Sequence, residues 1–454
     1  MYSKSIYETA DEKKIKKIFA FCEDYKHFIS IGKTERLCVK EAIKLAEKSG
    51  YVNGDKVKNI KKGDKLYFVN KDKNIALYQI GSKPLVEGLR ILGAHIDSPR
   101  LDIKQNPLYQ QNDFALLDTH YYGGIKKYQW VTTALAIHGV VCKKDGKVIE
   151  VSIGEKENEP VVGVNDLLIH LARDQMGQKL GDAINGEKLD ITFGSIPLKD
   201  SKKDGVKANI LKLLKEKYGI EEEDFLSSEL EVVPAGPARD YGFDASMIAG
   251  YGHDDRVCAY TSLMAILDSK PCEYTSCCIL VDKEEIGSVG STGAHSLFFE
   301  NSILKLLHLS KNDDLLALRE TMENSKMLSS DVSAGFDPLY PEVNDPKNSA
   351  YLNKGIVFNK YTGSGGKGGS NDANPEFFAW IRKVMDESNV YFQTSELGKV
   401  DQGGGGTIAY ILGNKNMNVA DAGVPVLNMH APLEVVAKAD VYEAYLAYIA
   451  FLTK

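Results

Sequence analysis

The stretch Cys278-Ile-Leu-Val-Asp-Lys-Glu-Glu-Ile-Gly-Ser288 constrains this chain more than any other. Ile279, Leu280 and Val281 form a short continuous apolar run, the pattern of a strand buried on both faces. The run stops abruptly at Asp282-Lys283-Glu284-Glu285, and Gly287 follows. Two adjacent carboxylates at the C-terminal end of a buried strand repel one another and resist desolvation. A divalent metal removes that objection, because one Glu can ligate it while the other acts as base on a metal-bound water. A solvated acidic turn is the competing reading. It weakens only if other ligand-type residues stand at other strand ends.

At 454 residues the chain is too long for one ordinary core, so two domains are expected. With 56 basic against 63 acidic residues its net charge is −7, and no dense Lys/Arg tract offsets this, which disfavours nucleic acid as a partner. No apolar run approaches the ~18 residues of a membrane span. The first twenty residues hold Asp11-Glu-Lys-Lys and lack a signal-peptide core, so export by the usual route is not expected. Seven cysteines, an odd number without a CxxC pair, indicate reduced thiols and a cytoplasmic protein.

Apolar residues at helical spacing over 11–29 predict a first helix, and Thr34 caps a second that ends at Ser49-Gly50. Tyr67-Phe-Val and Ile75 to Ile80 flank Asn70-Lys-Asp-Lys73 as a hairpin. Leu89-Arg-Ile-Leu92 is a further short strand, running into His95-Ile-Asp97. Between 104 and 245 the pattern turns to strands, with Asp145-Gly146 as a hairpin turn. From Gly250 the α/β pattern returns. The expected architecture is therefore a discontinuous α/β domain, 1–103 with 246–454, interrupted by a β-rich domain over 104–245. Asp440-Val-Tyr-Glu443 predicts a capping box that opens the last helix.

Five segments place metal-ligand residue types where an apolar strand ends or a helix starts. They are His95-Ile-Asp97, Asp254-Asp255, Glu284-Glu285, Ser330-Asp331 and Met429-His430. Zinc accepts His nitrogen and carboxylate oxygen readily, and a two-metal site can share one bridging carboxylate. In open α/β sheets, sites gather beyond the carboxyl ends of the strands. Each residue also has a structural reading: Asp254-Asp255 and Asp331 as helix caps, His95 as a buried imidazole bonded to Asp97, His430 as a turn residue. Five together, each at an element boundary, favour a metal centre. Gly363-Ser-Gly-Gly-Lys-Gly-Gly-Ser370 fails the phosphate-loop pattern because Gly follows Lys367, and is expected to be a mobile loop.

In this order the motifs resemble the aspartyl aminopeptidase / aminopeptidase I family of di-zinc exopeptidases. Gly93-Ala-His95-Ile-Asp97-Ser-Pro, Glu284-Glu285-Ile-Gly-Ser, Ser330-Asp331 and Met429-His430 match the family's motifs, and Asp254-Asp255 stands where it has Asp-Asn. Tyr121-Tyr-Gly-Gly124 and Leu168-Ile-His170-Leu match segments of its inserted domain. The resemblance implies a three-layer α/β/α core with an inserted β-rich dimerisation domain, and dimers assembling to a tetrahedral dodecamer. It implies two Zn2+ per subunit, with Mn2+ or Co2+ as substitutes. His95, Asp331 and bridging Asp254 would hold one ion, and Glu285, His430 and Asp254 the other. Glu284 would be the general base, Asp97 would orient His95, and His170 would reach a neighbouring subunit's site. Gly405 and Thr407 lie in a segment resembling the family's substrate-side turn.

Two departures bear on specificity. Asp337-Pro338 replaces a His-Pro of the family, and a family Lys linked to acidic substrates aligns with Asn359, beside Lys360. With Asp337 and Lys360 at the substrate's first side chain, neutral or basic N-terminal residues are expected to be cleaved better than Asp or Glu. The expected function is release of single residues from peptide N-termini. A related deacylase or carboxypeptidase, which would not need a free amine, is the nearest alternative. A silent assembly protein with structural metals is the other, and the spare base Glu284 argues against it.

Overall fold

The computed structural model describes residues 4–201, 203–312 and 314–454. They pack as two units: Met1–Asp97 with Ala238–Met429 and Glu434–Lys454, and Ser98–Pro237 with His430–Leu433.

The first unit is built on a nine-stranded sheet. At its centre Thr275–Val281, Leu89–His95, Lys326–Ser329 and Asn418–Gly423 lie side by side and parallel. The hairpin of Lys65–Asn70 and Asn74–Gln79 joins antiparallel to Thr275–Val281, and Ile356–Asn359 closes antiparallel on Asn418–Gly423. Side chains alternate across the pleat. Cys278 and Leu280 enter one core with Leu92, Ala94 and Leu328. Cys277, Ile279 and Val281 enter the other with Ile91 and Met327. Both faces are therefore apolar. Helices Glu12–Ile31, Glu35–Lys48, His253–Asp268, Pro375–Glu387 and Lys438–Leu452 cover the first, and Phe298–Leu309, Leu315–Glu323 and Ala409–Gly413 the second. The result is a three-layer α/β/α unit.

Local signals hold where the bond is local. Thr34 accepts from Leu37 N at 3.3 Å and starts the second helix as expected. The last helix differs: it begins at Lys438 with Ala437 as its cap, and Asp440 lies in its first turn. The buried Asp440 carboxylate accepts instead from the amides of Asn353, 2.6 Å away, and Gly355, 2.7 Å away.

The second unit carries a seven-stranded antiparallel sheet, centred on Leu135–Cys142, Ser228–Pro234, Arg100–Gln111 and Phe114–Tyr122. Leu135–Cys142 and Val148–Ile153 form the hairpin expected at Asp145-Gly146. The strand starts at Leu135, after the turn residues Val131 and Thr132.

Candidate metal centre

The parallel strands point their C-terminal ends the same way, and three of those ends lead to His95, Glu284–Glu285 and Asp331. His95 is the last residue of Leu89–His95 and is 2% exposed. Its Nδ1 lies 3.1 Å from the Asp97 carbonyl oxygen and 3.3 Å from Asp97 Oδ1. Both neighbours are acceptors, so Nδ1 carries the proton and Nε2 is left as the ligand atom. Nε2 lies 3.2 Å from Asp254 Oδ1, 3.8 Å from Glu284 Oε2 and 3.9 Å from Asp331 Oδ1.

Around His95, two groups of ligand atoms gather within 4.8 Å: His95 with Glu284 and Asp331, and His95 with Asp254 and Glu285. A tetrahedral zinc binds nitrogen and oxygen at about 2.0–2.2 Å, which sets its ligand atoms roughly 3.3–3.6 Å apart. The His95–Asp254 spacing of 3.2 Å and the His95–Asp331 spacing of 3.9 Å fall on either side of that range. Burial opposes the imidazolium of His95, but the carboxylates of Asp254 and Asp97, with Glu284 and Asp331 beyond, outweigh it and hold its pKa well above the ordinary value. Burial and the negative charges of Asp255, Glu284 and Asp254 push Asp331 well above the carboxylate range, against the pull of His95. Four carboxylates around one imidazole make a site that a divalent cation neutralises.

Backbone contacts fix these side chains. Asp97 is fully buried, and its two oxygens accept from the amides of Glu284, 3.1 Å away, and Glu285, 3.2 Å away. Both glutamates sit in the short turn Glu284–Ile286. Asp254 and Asp255 depart from helical geometry at the start of His253–Asp268, are joined by a cis peptide bond, and follow Gly252 as the cap. Asp255 therefore does not cap this helix: its Oδ2 accepts from His95 N at 3.3 Å. Gly423 makes room for the ligand segment, since a Cβ there would fall 1.7 Å from the Asp331 carbonyl oxygen.

The remaining predicted residues fall elsewhere. His430 belongs with the second unit, where its Nδ1 lies 2.8 Å from the Gly124 carbonyl oxygen. It is in neither ligand group. His170 lies exposed in the turn Ile169–Leu171 of the second unit. Thr407 donates to Asp421 at 2.6 Å and accepts from Ala409 N at 3.2 Å, which commits its hydroxyl to the fold. Gly405 is exposed in the glycine run. A cavity of about 320 Å³ opens beside that run, between Tyr361–Lys367 and Glu396–Gly403. Lys360 pairs with Asp372, which also takes Lys367 at 3.2 Å. Asp337 Oδ1 accepts from Leu339 N at 2.9 Å. Asn359 is buried and bonded to Ser333 and Ser395.

Sequence reasoning missed Glu434, whose buried carboxylate accepts from Asp254 N at 3.0 Å. A single Glu at the start of a strand carries no spacing signal.

Residues 28–452 match the family described as aminopeptidase I zinc metalloprotease, M18. The chain belongs to this family. A curated relative from Clostridium acetobutylicum, a probable M18 family aminopeptidase 1, is 58% identical over 99% of this chain and 98% of its own. A crystal structure of an M18-family aminopeptidase from Thermotoga maritima is 44% identical with a TM-score of 0.96, covering all of both chains. Yeast mApe1, from S. cerevisiae, solved as a dodecamer, is 19% identical with a TM-score of 0.75 over 95% of this chain and 96% of its own, and shares the fold. The family is one of zinc metallo-aminopeptidases, so this chain is a metal-dependent peptide hydrolase.

Proposed function

We propose that the protein releases single amino acids from peptide N-termini, with Glu284 as general base beside two zinc ions. The observation that carries this reading is the placement of Glu284: its backbone is anchored by Asp97, and its carboxylate lies 3.8 Å from His95 Nε2 at the centre of the ligand groups. His95, Asp331 and Asp254 would hold one ion. Glu285 and a shared Asp254, the second ligand group around His95, would hold the other. Zinc held there supplies Lewis acidity toward the scissile carbonyl and lowers the pKa of water.

Glu284 takes a proton from the attacking water and returns it to the leaving amine. Asp97 keeps His95 in the tautomer with Nε2 free for the metal, and holds the Glu284 and Glu285 amides in register. The backbone N–H groups of the run ending at Gly405 are suited to binding substrate, whereas the Thr407 hydroxyl supports the loop. Lys360 is neutralised by Asp372 and Asn359 is engaged in the sheet. No spare cation is thereby offered by these two positions, which favours neutral or basic first residues over acidic ones. Asp337 adds less to that preference than its charge suggests, because its carboxylate caps a turn.

The second unit supports assembly. Leu167, Leu168, Ile169, Leu171, Met176 and Leu180 are all about half exposed or more in a single chain. An apolar stretch of this kind is covered in solution, and a second copy is the occupant that suits a chain whose yeast relative is a dodecamer. His170 lies exposed in the middle of this stretch, which supports a role for it at a neighbouring subunit's site. All seven cysteines are free thiols, and among the described residues no helix is long and apolar enough to cross a membrane. The thiols favour the cytoplasm.

Glu284→Gln tests the reading. It should keep its zinc and lose turnover by roughly 10²-fold or more, the scale of a lost general base. Zinc lost in step with activity would mean that Glu284 is a ligand. Parental rates on Leu-, Lys-, Asp- and Glu-anilides, measured alongside, give the preference.

A further inference from the structure

We propose that Thr292 is a positioning residue for the Glu284 turn, acting with Asp282 and with two asparagines of the adjoining hairpin. The proposal rests on the reading of Glu284 as general base. The segment that presents Glu284 leaves the sheet after Val281 and comes back beside Asp282 at Thr292, which lies in a turn. Its two ends are joined twice. Asp282 N donates to the Thr292 carbonyl oxygen at 3.3 Å, and the Thr292 hydroxyl donates to Asp282 Oδ2 at 2.6 Å. Asp282 is fully buried and Thr292 is 2% exposed.

The hairpin supplies the rest of the clamp. Asn74–Gln79 pairs with Thr275–Val281, so its tip lies beside the strand that leads into the turn. Asn74, fully buried, donates from Nδ2 to the Thr292 carbonyl oxygen. Asn70 Nδ2 donates to the Ser291 carbonyl oxygen at 2.8 Å and to Asn74 Oδ1 at 3.0 Å. Within the loop, Ser288 N donates to the Lys283 carbonyl oxygen at 2.6 Å. The return is tight: a Cβ on Gly293 would lie 2.0 Å from the Ser288 carbonyl oxygen.

Asp97 thus holds the near side of the turn, through the amides of Glu284 and Glu285. The Asp282–Thr292 pair and the asparagines hold its far side. A general base acts only within hydrogen-bond reach of its proton. A misplacement of about 1 Å costs on the order of 10²-fold in rate. A hydroxyl bonded to a buried carboxylate is a strong fixture for such a loop. Neither Thr292 nor the asparagines are among the ligands, so their loss should move Glu284 without removing zinc.

The test uses the full, assembled chain. The kcat and KM on a Leu-anilide, zinc content and a thermal melt are measured for Thr292→Val, Thr292→Ser, Asn70→Ala and Glu284→Gln. Thr292→Val should lower kcat about 10-fold or more, with KM within about twofold and zinc at the parental level. Thr292→Ser, which keeps the hydroxyl, should stay within about threefold of the parent. Asn70→Ala removes a bond at the rim of the clamp and should lower kcat roughly three- to tenfold, which keeps the proposal testable if Thr292→Val does not fold. Parental kcat in both Thr292→Val and Asn70→Ala overturns the clamp. So does a Thr292→Ser loss as deep as that of Thr292→Val. Glu284→Gln separates the two readings: if it turns over normally the general base is misassigned, whatever the Thr292 variants do.

Discussion

Replacing Asp97 with asparagine preserves the side chain's size while removing its charge and one acceptor oxygen. In the native site Oδ1 accepts from Glu284 N at 3.1 Å, Oδ2 accepts from Glu285 N at 3.2 Å, and His95 Nδ1 lies 3.3 Å from Oδ1. The asparagine oxygen can keep one of the two amides. Its NH2 group then faces the other, donor against donor. A hydrogen bond to a charged acceptor is worth about 1.5–3 kcal/mol, so losing one such bond at the catalytic turn corresponds to about a 10- to 150-fold fall in kcat/KM. The His95 ring also loses an anionic partner, and partners of this kind are worth about 10- to 100-fold in metal affinity. Two assays separate the effects. The kcat/KM is measured at saturating zinc, and zinc affinity is measured by competition with a chelator. The first should fall by the amount due to the turn, and the second by the amount due to the ring. A folded Asp97→Asn enzyme with parental kcat/KM and parental zinc affinity would refute both roles.

Two further outcomes follow from other parts of the molecule. Burial pushes buried Asp421 up to about 7 despite the Thr407 hydroxyl, so its contribution to stability is complete below pH ~4 and is lost as pH rises through about 7. Asp421→Asn should therefore be more stable than the parent at pH 8, by up to about 4 kcal/mol, with the gap closing towards pH 4 in urea unfolding; parallel curves would exclude this. Ile169→Asp with Leu171→Asp should yield smaller particles in sedimentation, with zinc retained and activity reduced; an unchanged particle would show that this surface is not the interface.

The cluster around His95 was legible because its candidate ligands Glu284, Glu285 and Asp331 follow apolar runs, and an abrupt change from apolar to acidic survives without any knowledge of the fold. Cys278 to Val281 shows this well: alternate residues enter separate cores, as a strand covered on both sides requires. Illegible features depend on partners distant in the chain. Asp440 looks like a cap because Glu443 follows three residues later, yet its carboxylate binds the Asn353 and Gly355 amides. The same holds for Glu434 on Asp254 and for Asp255 on His95. Asp337 and Lys360 illustrate a further limit. Their charges are visible in the sequence, but the turn amide and the aspartate that engage them are not.

The order of the strands carries a consequence for how a cell makes this enzyme. Leu89–His95 lies between Thr275–Val281 and Lys326–Ser329, so the whole of Ser98–Pro237 is synthesised before His95 gains either neighbour. Pairings between segments so distant in the chain form slowly, because the loop must close before contacts compensate its lost entropy. Asp254, Glu285 and Asp331 leave the ribosome later still. A nascent or half-folded chain therefore lacks the cluster around His95, which comes together only once these strands have paired.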